Sequence, residues 1–312
     1  MAQMADSELT LPASAMPIYI GACGLASSPS SDMQWDSLTD ENCAFGGDIS
    51  NNLRGELRQW QAEFRSASID PESRCAILDW ERFHEKGLAL ARCLNLEIGS
   101  DRQVIYIKPL EDPNIYLQIN SDVFGDGEVV QAHRSMPDHL ANASWLPRQI
   151  VSGGQTGADR AALDFACINR IPHGGWCPKG RLAVDGPLSF KYQLRETESS
   201  GYRQRTKRNI QESDATVIFN TGNLDGGTLQ TMVLAEKMLK PRLLLQLDSE
   251  TEDFVVAELV AWMDQGEFSV LNVAGPREEK RPGIYRQVRR VLDACLNGGG
   301  TRSKVSTLLA SN

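Results

Sequence analysis

Arg148-Gln-Ile-Val-Ser-Gly-Gly-Gln-Thr-Gly-Ala-Asp159 carries a short apolar run into a glycine-rich turn that opens a helix. Glycines at 153, 154 and 157 let the backbone take positive φ and come close to a ligand. The first N–H groups of a helix beginning near Ala158 have no intrahelical acceptor, so the turn reads as a cradle for an anion, a phosphate in particular. Its spacing is neither the dinucleotide fingerprint G-x-G-x-x-G nor the P-loop G-x-x-x-x-G-K-[ST], and neither assignment carries over. The plainer reading is an ordinary strand-to-helix turn. If the turn is a cradle, a side chain added at Gly154 is expected to fill the anion's place and abolish binding.

Working outward, the second half of the chain alternates strand and helix. Apolar runs at 149–152, 216–220, 243–247 and 270–273 predict strands covered on both faces, with a weaker one near 171–176. Helical periodicity fills the gaps at 158–169, 202–213, 227–239, 252–264 and 283–296, the last preceded by Pro282. Such alternation implies right-handed crossovers and an α/β, doubly wound parallel sheet, whose ligands bind beyond the carboxyl ends of the strands.

The first half reads differently. A strand ending in a glycine turn is expected over 17–24, followed by a Ser/Pro/Asp loop. Leu53, Leu57, Trp60 and Phe64 form one helical stripe; Ile77, Trp80, Leu88, Ala91 and Leu94 form another after the start signal Asp70-Pro71-Glu72. Val104–Ile107 and Ile115–Ile119 read as the two strands of a hairpin, and the half closes with a loop from 136 to 147. The expected organisation is thus a disordered 1–16, a smaller α+β domain over 17–147, the doubly wound domain over 148–296, and a disordered tail from 297 to 312.

At 312 residues the chain suits two domains. No window approaches ~18 consecutive apolar residues, so no membrane partner is expected. Seven scattered cysteines without C-x-x-C spacing argue against a disulfide framework or a metal site, and the start lacks a secretory pattern; a reducing cytoplasm is the expected location. The net charge of −9 is unevenly placed: residues 1–147 hold 10 Lys/Arg against 22 Asp/Glu, residues 148–312 hold 22 against 19. The acidic half would repel nucleic acid, and the other is too weakly basic to grip a polyanion through many phosphates. It suits a small anionic ligand, because the positive charge concentrates between Lys179 and Arg208. Part of that charge, on the helix carrying Arg203, Arg205, Lys207 and Arg208, is equally a solvated face.

Three segments are expected to meet at the carboxyl edge. The first is the opening turn, with Gly153, Gly154, Gln155, Thr156, Gly157 and Arg160. The second is Pro172-His-Gly-Gly-Trp-Cys-Pro-Lys-Gly-Arg181. Here Trp176 suits stacking on a planar heterocycle or burial against the sheet, and Lys179 and Arg181 are the side-chain anion contacts. His173 is a base or, more commonly for such a residue, structural; Cys177 is a packed or exposed thiol rather than a metal ligand. The third is Asn220-Thr-Gly-Asn-Leu-Asp-Gly-Gly-Thr228, where Gly226, Gly227, Thr228 and Thr231 repeat the device of the first: two helix N-termini, each with roughly half a positive charge, aimed at one crevice. Asp159 either complements the helix dipole or takes part in the site.

Ser-Gly-Gly-Gln-Thr-Gly-Ala-Asp-Arg (152–160), Ile-Pro-His-Gly-Gly-Trp-Cys-Pro-Lys-Gly-Arg (171–181), Gln204-Arg-Thr, Asn209, Ser213-Asp214, Gly226-Gly-Thr with Thr231, Lys240-Pro241 and Asn272-Val-Ala-Gly-Pro276 with Pro282-Gly-Ile-Tyr285 together resemble the molybdenum cofactor carrier proteins. These belong to the SLOG superfamily of Rossmann-like nucleotide-binding folds, and the resemblance covers about 148–296. It implies a Rossmann-like domain, a homo-oligomer, molybdenum cofactor (molybdopterin) as cargo, and a molybdoenzyme or cofactor-biosynthesis protein as partner. It names no catalytic residue. Related superfamily members are phosphoribohydrolases of the lysine-decarboxylase-like type, using an arginine and a glutamate beside Gly-Gly-x-Gly-Thr. The run Gly226-Gly227-Thr228 lacks that second glycine, which disfavours hydrolysis, with Arg160 or Arg205 as clamp and Asp159 or Glu236 as acid if it occurs. A sensor of a nucleotide-derived ligand, with the first half transmitting the response, is the third reading.

Overall fold

A computed structural model describes residues 18–21, 24–26, 49–98, 104–117, 129–131, 140 and 146–298. The expectations for 1–16, 299–312 and most of the 136–147 loop lie outside them. Two compact units are present: Met1–Ser68, Leu78–Asp112 and Gln118–Arg134 form one, and Ile69–Ile77, Pro113–Leu117 and Ser135–Asn312 the other. Where one boundary near 147 was expected, two short first-half segments thus belong to the second unit. Side chains explain this. Lys191 Nζ pairs with Asp70 at 3.2 Å, Arg170 reaches the Cys75 sulfur at 3.2 Å, and the Asn114 amide exchanges two hydrogen bonds with the His173 backbone.

The first unit contains β1 (Ile18–Gly21), β2 (Gly24–Ala26), α1 (Asn51–Arg65), α2 (Trp80–Ile98), β3 (Val104–Tyr106) and β4 (Val129–Gln131). Its sheet runs β2-β1-β3-β4, antiparallel only between β1 and β2. Ser50 caps α1 by accepting the Leu53 N–H, and Leu53, Leu57 and Trp60 bury one face of that helix. That face packs on α2 with the Trp60 and Phe83 rings stacked 4.7 Å apart.

The expected hairpin is not formed among the described residues. β3 pairs in parallel with β1 and β4, while 110–116 is a series of turns closed by Asp112 N–H to Pro109 O and Leu117 N–H to Asn114 O. Pro109 and Pro113 lack the N–H that a ladder requires, so the alternating run after them turns instead.

A buried polar cluster makes this unit sensitive to acid. His84 contacts the Tyr106 hydroxyl at 2.8 Å and Asp112 at 3.0 Å, and Lys108 reaches the same Asp112 oxygen at 2.9 Å. Burial lowers the His84 pKa below its ordinary 6.5, against the pull of Asp112. Burial would raise Asp112, but Lys108 and His84 hold its carboxyl well below the ordinary range. The unfolded chain therefore binds a proton at His84 more readily, and this contribution to stability is present above about pH 6.5 and lost as pH falls through it; that of Asp112 is lost below about 4. The protection factors of the α2 amides, corrected for the intrinsic slowing of exchange with falling pH, are expected to drop in two stages on acidification, the first below about pH 6.5. Protection unchanged between pH 8 and pH 5.5 would contradict this.

The second unit contains, in order, β5 (Gln149–Val151), α3 (Ala158–Ile168), β6 (His173–Gly174), β7 (Trp176–Cys177), β8 (Leu182–Ala183), β9 (Gly186–Pro187), β10 (Arg195–Glu196), α4 (Tyr202–Gln211), β11 (Ala215–Asn220), α5 (Gly226–Lys237), β12 (Arg242–Gln246), α6 (Glu252–Gly266), β13 (Val270–Ala274) and α7 (Ile284–Gly298). Five strands make the main sheet, in the order β12-β11-β13-β5-β6, and every adjacent pair is parallel. It is flanked by helices, an α/β Rossmann-like arrangement. Every residue of β11 is buried, as a strand covered on both faces demands. Ile150, Phe165, Val217, Phe219, Leu259, Val273, Val288 and Leu292 belong to one core. Among the described residues no helix is long and apolar enough to cross a membrane.

One feature of the order positions the site. β13 is the last strand in sequence yet lies between β11 and β5. The loop that follows it, residues 275–283, therefore emerges between the two glycine loops.

Candidate functional site

The glycine turn after β5 takes positive φ at Gly154 and Gly157 but not at Gly153, and its surroundings differ from those expected. Gly154 and Gly157 have φ of 75° and 82°. No backbone carbonyl among the described residues accepts the N–H of Gly153, Gly154, Thr156 or Gly157. The first N–H of α3, by contrast, is already used: Ala158 donates to Pro276 O at 3.2 Å. A Cβ at Gly157 would stand 2.4 Å from that carbonyl oxygen, so residues 276–278 lie directly across the start of α3. Beside them Thr156 donates its hydroxyl to Glu279 at 2.7 Å.

The same loop reaches the other glycine segment. Lys280 pairs with Asp225 at 2.5 Å, and its Nζ would be 2.7 Å from a Cβ on Gly226, which has φ 53°. Arg281 donates to Thr221 O and Asn223 O at 2.7 and 3.1 Å. Residues 276–281 thus strap the two glycine loops together. A Cβ on Gly227 would meet nothing within 4 Å, so the start of α5 is open there. Thr228 is buried, and Thr231 donates its hydroxyl to Gly227 O at 3.0 Å, back into its own helix.

Beneath the first turn lies Arg205, from α4. A Cβ on Gly153 would stand 1.5 Å from its Nη1, so the guanidinium rests on the bare backbone of that glycine. The same Nη1 pairs with Asp159 at 3.0 Å, while Nε is closed off from solvent with no acceptor. Asp159 also accepts the Gln155 N–H at 3.4 Å. Burial raises the Asp159 carboxyl above its ordinary range even with Arg205 beside it.

Several expected ligand contacts are engaged elsewhere. Arg181 is 7 % exposed and donates to the carbonyls of Leu188, Ser189, Tyr192 and Leu194, each at 2.9 Å, so it organises the loop over 188–194. Arg160 forks onto Asp185 at 3.1 Å and onto Gly154 O at 3.2 Å. Gln155 is buried, holding Leu182 O and Val184 N–H at 3.2 and 3.3 Å. The Trp176 ring is covered by the guanidinium groups of Arg195 and Arg208, at 4.3 and 4.2 Å from its centroid, which occupies the ring with cations rather than a heterocycle. Lys179 is exposed on the turn after β7. Nor does Gly154 border the anion's place as expected: a Cβ there would meet Leu188 and Leu194 methyls at 2.7 and 2.8 Å.

His173 is buried, with the Gln193 N–H donated to its Nε2 at 3.2 Å and Cys167 sulfur at 3.5 Å, a structural setting. Cys177 is packed, and burial pushes its thiol up, away from thiolate chemistry. Glu236 pairs with Arg242 in the last turn of α5. Ten residues of helix separate it from Gly226, about 15 Å, so it stands at the wrong end to act as an acid at the glycine loops. Among the described residues no three His, Cys, Asp or Glu side chains gather to hold a metal ion.

The cations missed by sequence reasoning as site residues are Lys280 and Arg281. Their signal was present: a charged loop directly follows a strand, Val270–Ala274, at the edge where ligands of such sheets bind. Arg277 and Arg281 with Lys280 alternate with Glu278 and Glu279, which hides the cluster in any net-charge count.

Comparison with known proteins agrees with this architecture. The family model described as the circularly permutated YpsA SLOG family matches residues 150–296. A crystal structure of a putative molybdenum carrier protein from Syntrophus aciditrophicus SB shares 45% sequence identity, covering 48% of this chain and 95% of that one, with a TM-score of 0.47. A structure of (E)-4-hydroxy-3-methyl-but-2-enyl diphosphate reductase matches at 9% identity over 78% of this chain and 95% of that one, with a TM-score of 0.21. No curated protein matches the chain. On the family match and the 45% identity, this chain belongs, through residues 150–296, to the circularly permutated YpsA SLOG family.

Proposed function

We propose that this protein is a binding and carrier protein whose second unit holds a phosphate-bearing ligand, molybdenum cofactor, at the carboxyl edge of its parallel sheet. The observation that carries the reading is the Arg205 guanidinium lying on Gly153, its Nε buried without an acceptor among the described residues, beside backbone N–H groups that no described carbonyl takes. Buried donors without partners are costly, and an anion's oxygens would satisfy both sets at once. Lys280 and Arg281, strapped between the glycine loops, add positive potential at the same edge. The identity to a protein named as a molybdenum carrier supports the cargo. The ligand's phosphate end is the part these residues address; Gly227, open to within 4 Å, leaves room for the remainder beside α5.

Native purification tests this reading. Stoichiometric molybdenum by elemental analysis and pterin by oxidation to its fluorescent derivative are expected, before or after incubation with released cofactor. Absence of both would overturn the cargo. Release of base from a nucleoside monophosphate by the same sample would favour hydrolysis, for which Glu236 is badly placed.

A further inference from the structure

The ion pair under the glycine turn has its own consequence for binding. Asp159 is 3 % exposed, and the charged groups that bear on it are Arg205 from α4 and Arg160 from its own helix, the latter already forked onto Asp185. Of the Arg205 donors, Nη1 is the one nearest the turn, and it is the one Asp159 holds. An anion seated at the turn draws on the same guanidinium, whose Nη1 Asp159 holds and whose Nε has no acceptor among the described residues, and so competes with Asp159 for one cation.

We infer that ligand binding here is an anion exchange: Arg205 leaves Asp159 for the oxygens of the ligand's phosphate, and Asp159 takes up one proton from solvent. Arg205 stays protonated throughout, so one proton enters the complex with each ligand. A carboxylate that loses its hydrogen-bonded cation in a buried place escapes a poorly compensated charge by becoming neutral. Burial already raises the Asp159 carboxyl while Arg205 is beside it, and removal of Arg205 acts in the same direction. Binding accordingly weakens as pH rises above the range in which Asp159 ionises, by up to about tenfold per pH unit for one linked proton.

This inference rests on the functional reading above, and the test separates the two. Sulfate is the probe, because it undergoes no ionisation of its own in the working range. Titration calorimetry of the full chain near pH 7, in two buffers of different ionisation heat, counts the protons bound per sulfate. About one proton is expected, with an affinity that falls with pH. The Asp159→Asn variant is expected to bind sulfate without proton uptake and with a flat pH profile. Wild-type binding with no proton uptake would overturn the exchange and leave the ligand site standing, since Arg205 would then be serving Asp159 and the ligand together. Failure of the wild type to bind either sulfate or AMP would overturn the site and the exchange with it. If Asp159→Asn does not fold, the wild-type proton count decides by itself.

Discussion

Replacing Arg181 by alanine is expected to destabilise the second unit by about 3 kcal/mol or more, since several buried carbonyls lose a charged donor at about 1–3 kcal/mol each, and to leave the ligand site's own donors in place. Arg181 is 7 % exposed, and four carbonyls over 188–194 accept from its guanidinium. The Phe190 ring, 4.5 Å below the guanidinium carbon, loses its cover as well. Lysine should restore only part of the stability, since its three donors cannot match the planar fork. Thermal unfolding and hydrogen exchange over 188–194 would read the effect. An Arg181→Ala protein with unchanged stability and lost ligand affinity would return Arg181 to the binding site.

Arg205→Ala is expected to weaken ligand binding by about 10- to 150-fold, corresponding to about 1.5–3 kcal/mol for hydrogen bonds to a charged group. Gly153→Ala should do nearly as much without removing any donor. The backbone at Gly153 is not in the left-handed region, so alanine is tolerated there, but its Cβ would fall 1.5 Å from Nη1 and push the guanidinium off the turn. Gly154→Val is a poorer probe. Its φ of 75° and the Leu188 and Leu194 methyls behind it make that substitution a folding defect first. Equilibrium titration with AMP at matched folded content would check both variants; unchanged affinity in Gly153→Ala would place the ligand elsewhere.

The second unit was legible because its strands are apolar runs long enough to read and its helices carry strong periodicity; β11 at 215–220 and α4 at 202–211 fall close to the expected bounds. The first unit was only half so. α1 and α2 follow from their stripes, but β3 takes its partners from β1 and β4, far away in sequence, and local alternation after Pro113 carries no information about that. At the site, the glycines were legible since positive φ and close approach are properties of one residue. Ligand contacts are not such a property. Arg160, Trp176 and Arg181 have the right chemistry for an anion or a ring, yet Asp185, Arg195 with Arg208, and the carbonyls of 188–194 claim them first. Arg205 read either as part of a solvated helix face or as a clamp, and only the fold, which brings it 46 residues back along the chain to Asp159, pairs the two.

We place the phosphate-bearing pterin at the glycine turn 153–157, completed by Arg205. Pterin recovered per chain, from wild type and Gly153→Ala loaded side by side with released cofactor and matched for thermal stability, tests it most directly. Near-stoichiometric pterin on the wild type and little on Gly153→Ala is the predicted result. Equal loading of the two proteins, or none on either, would contradict it.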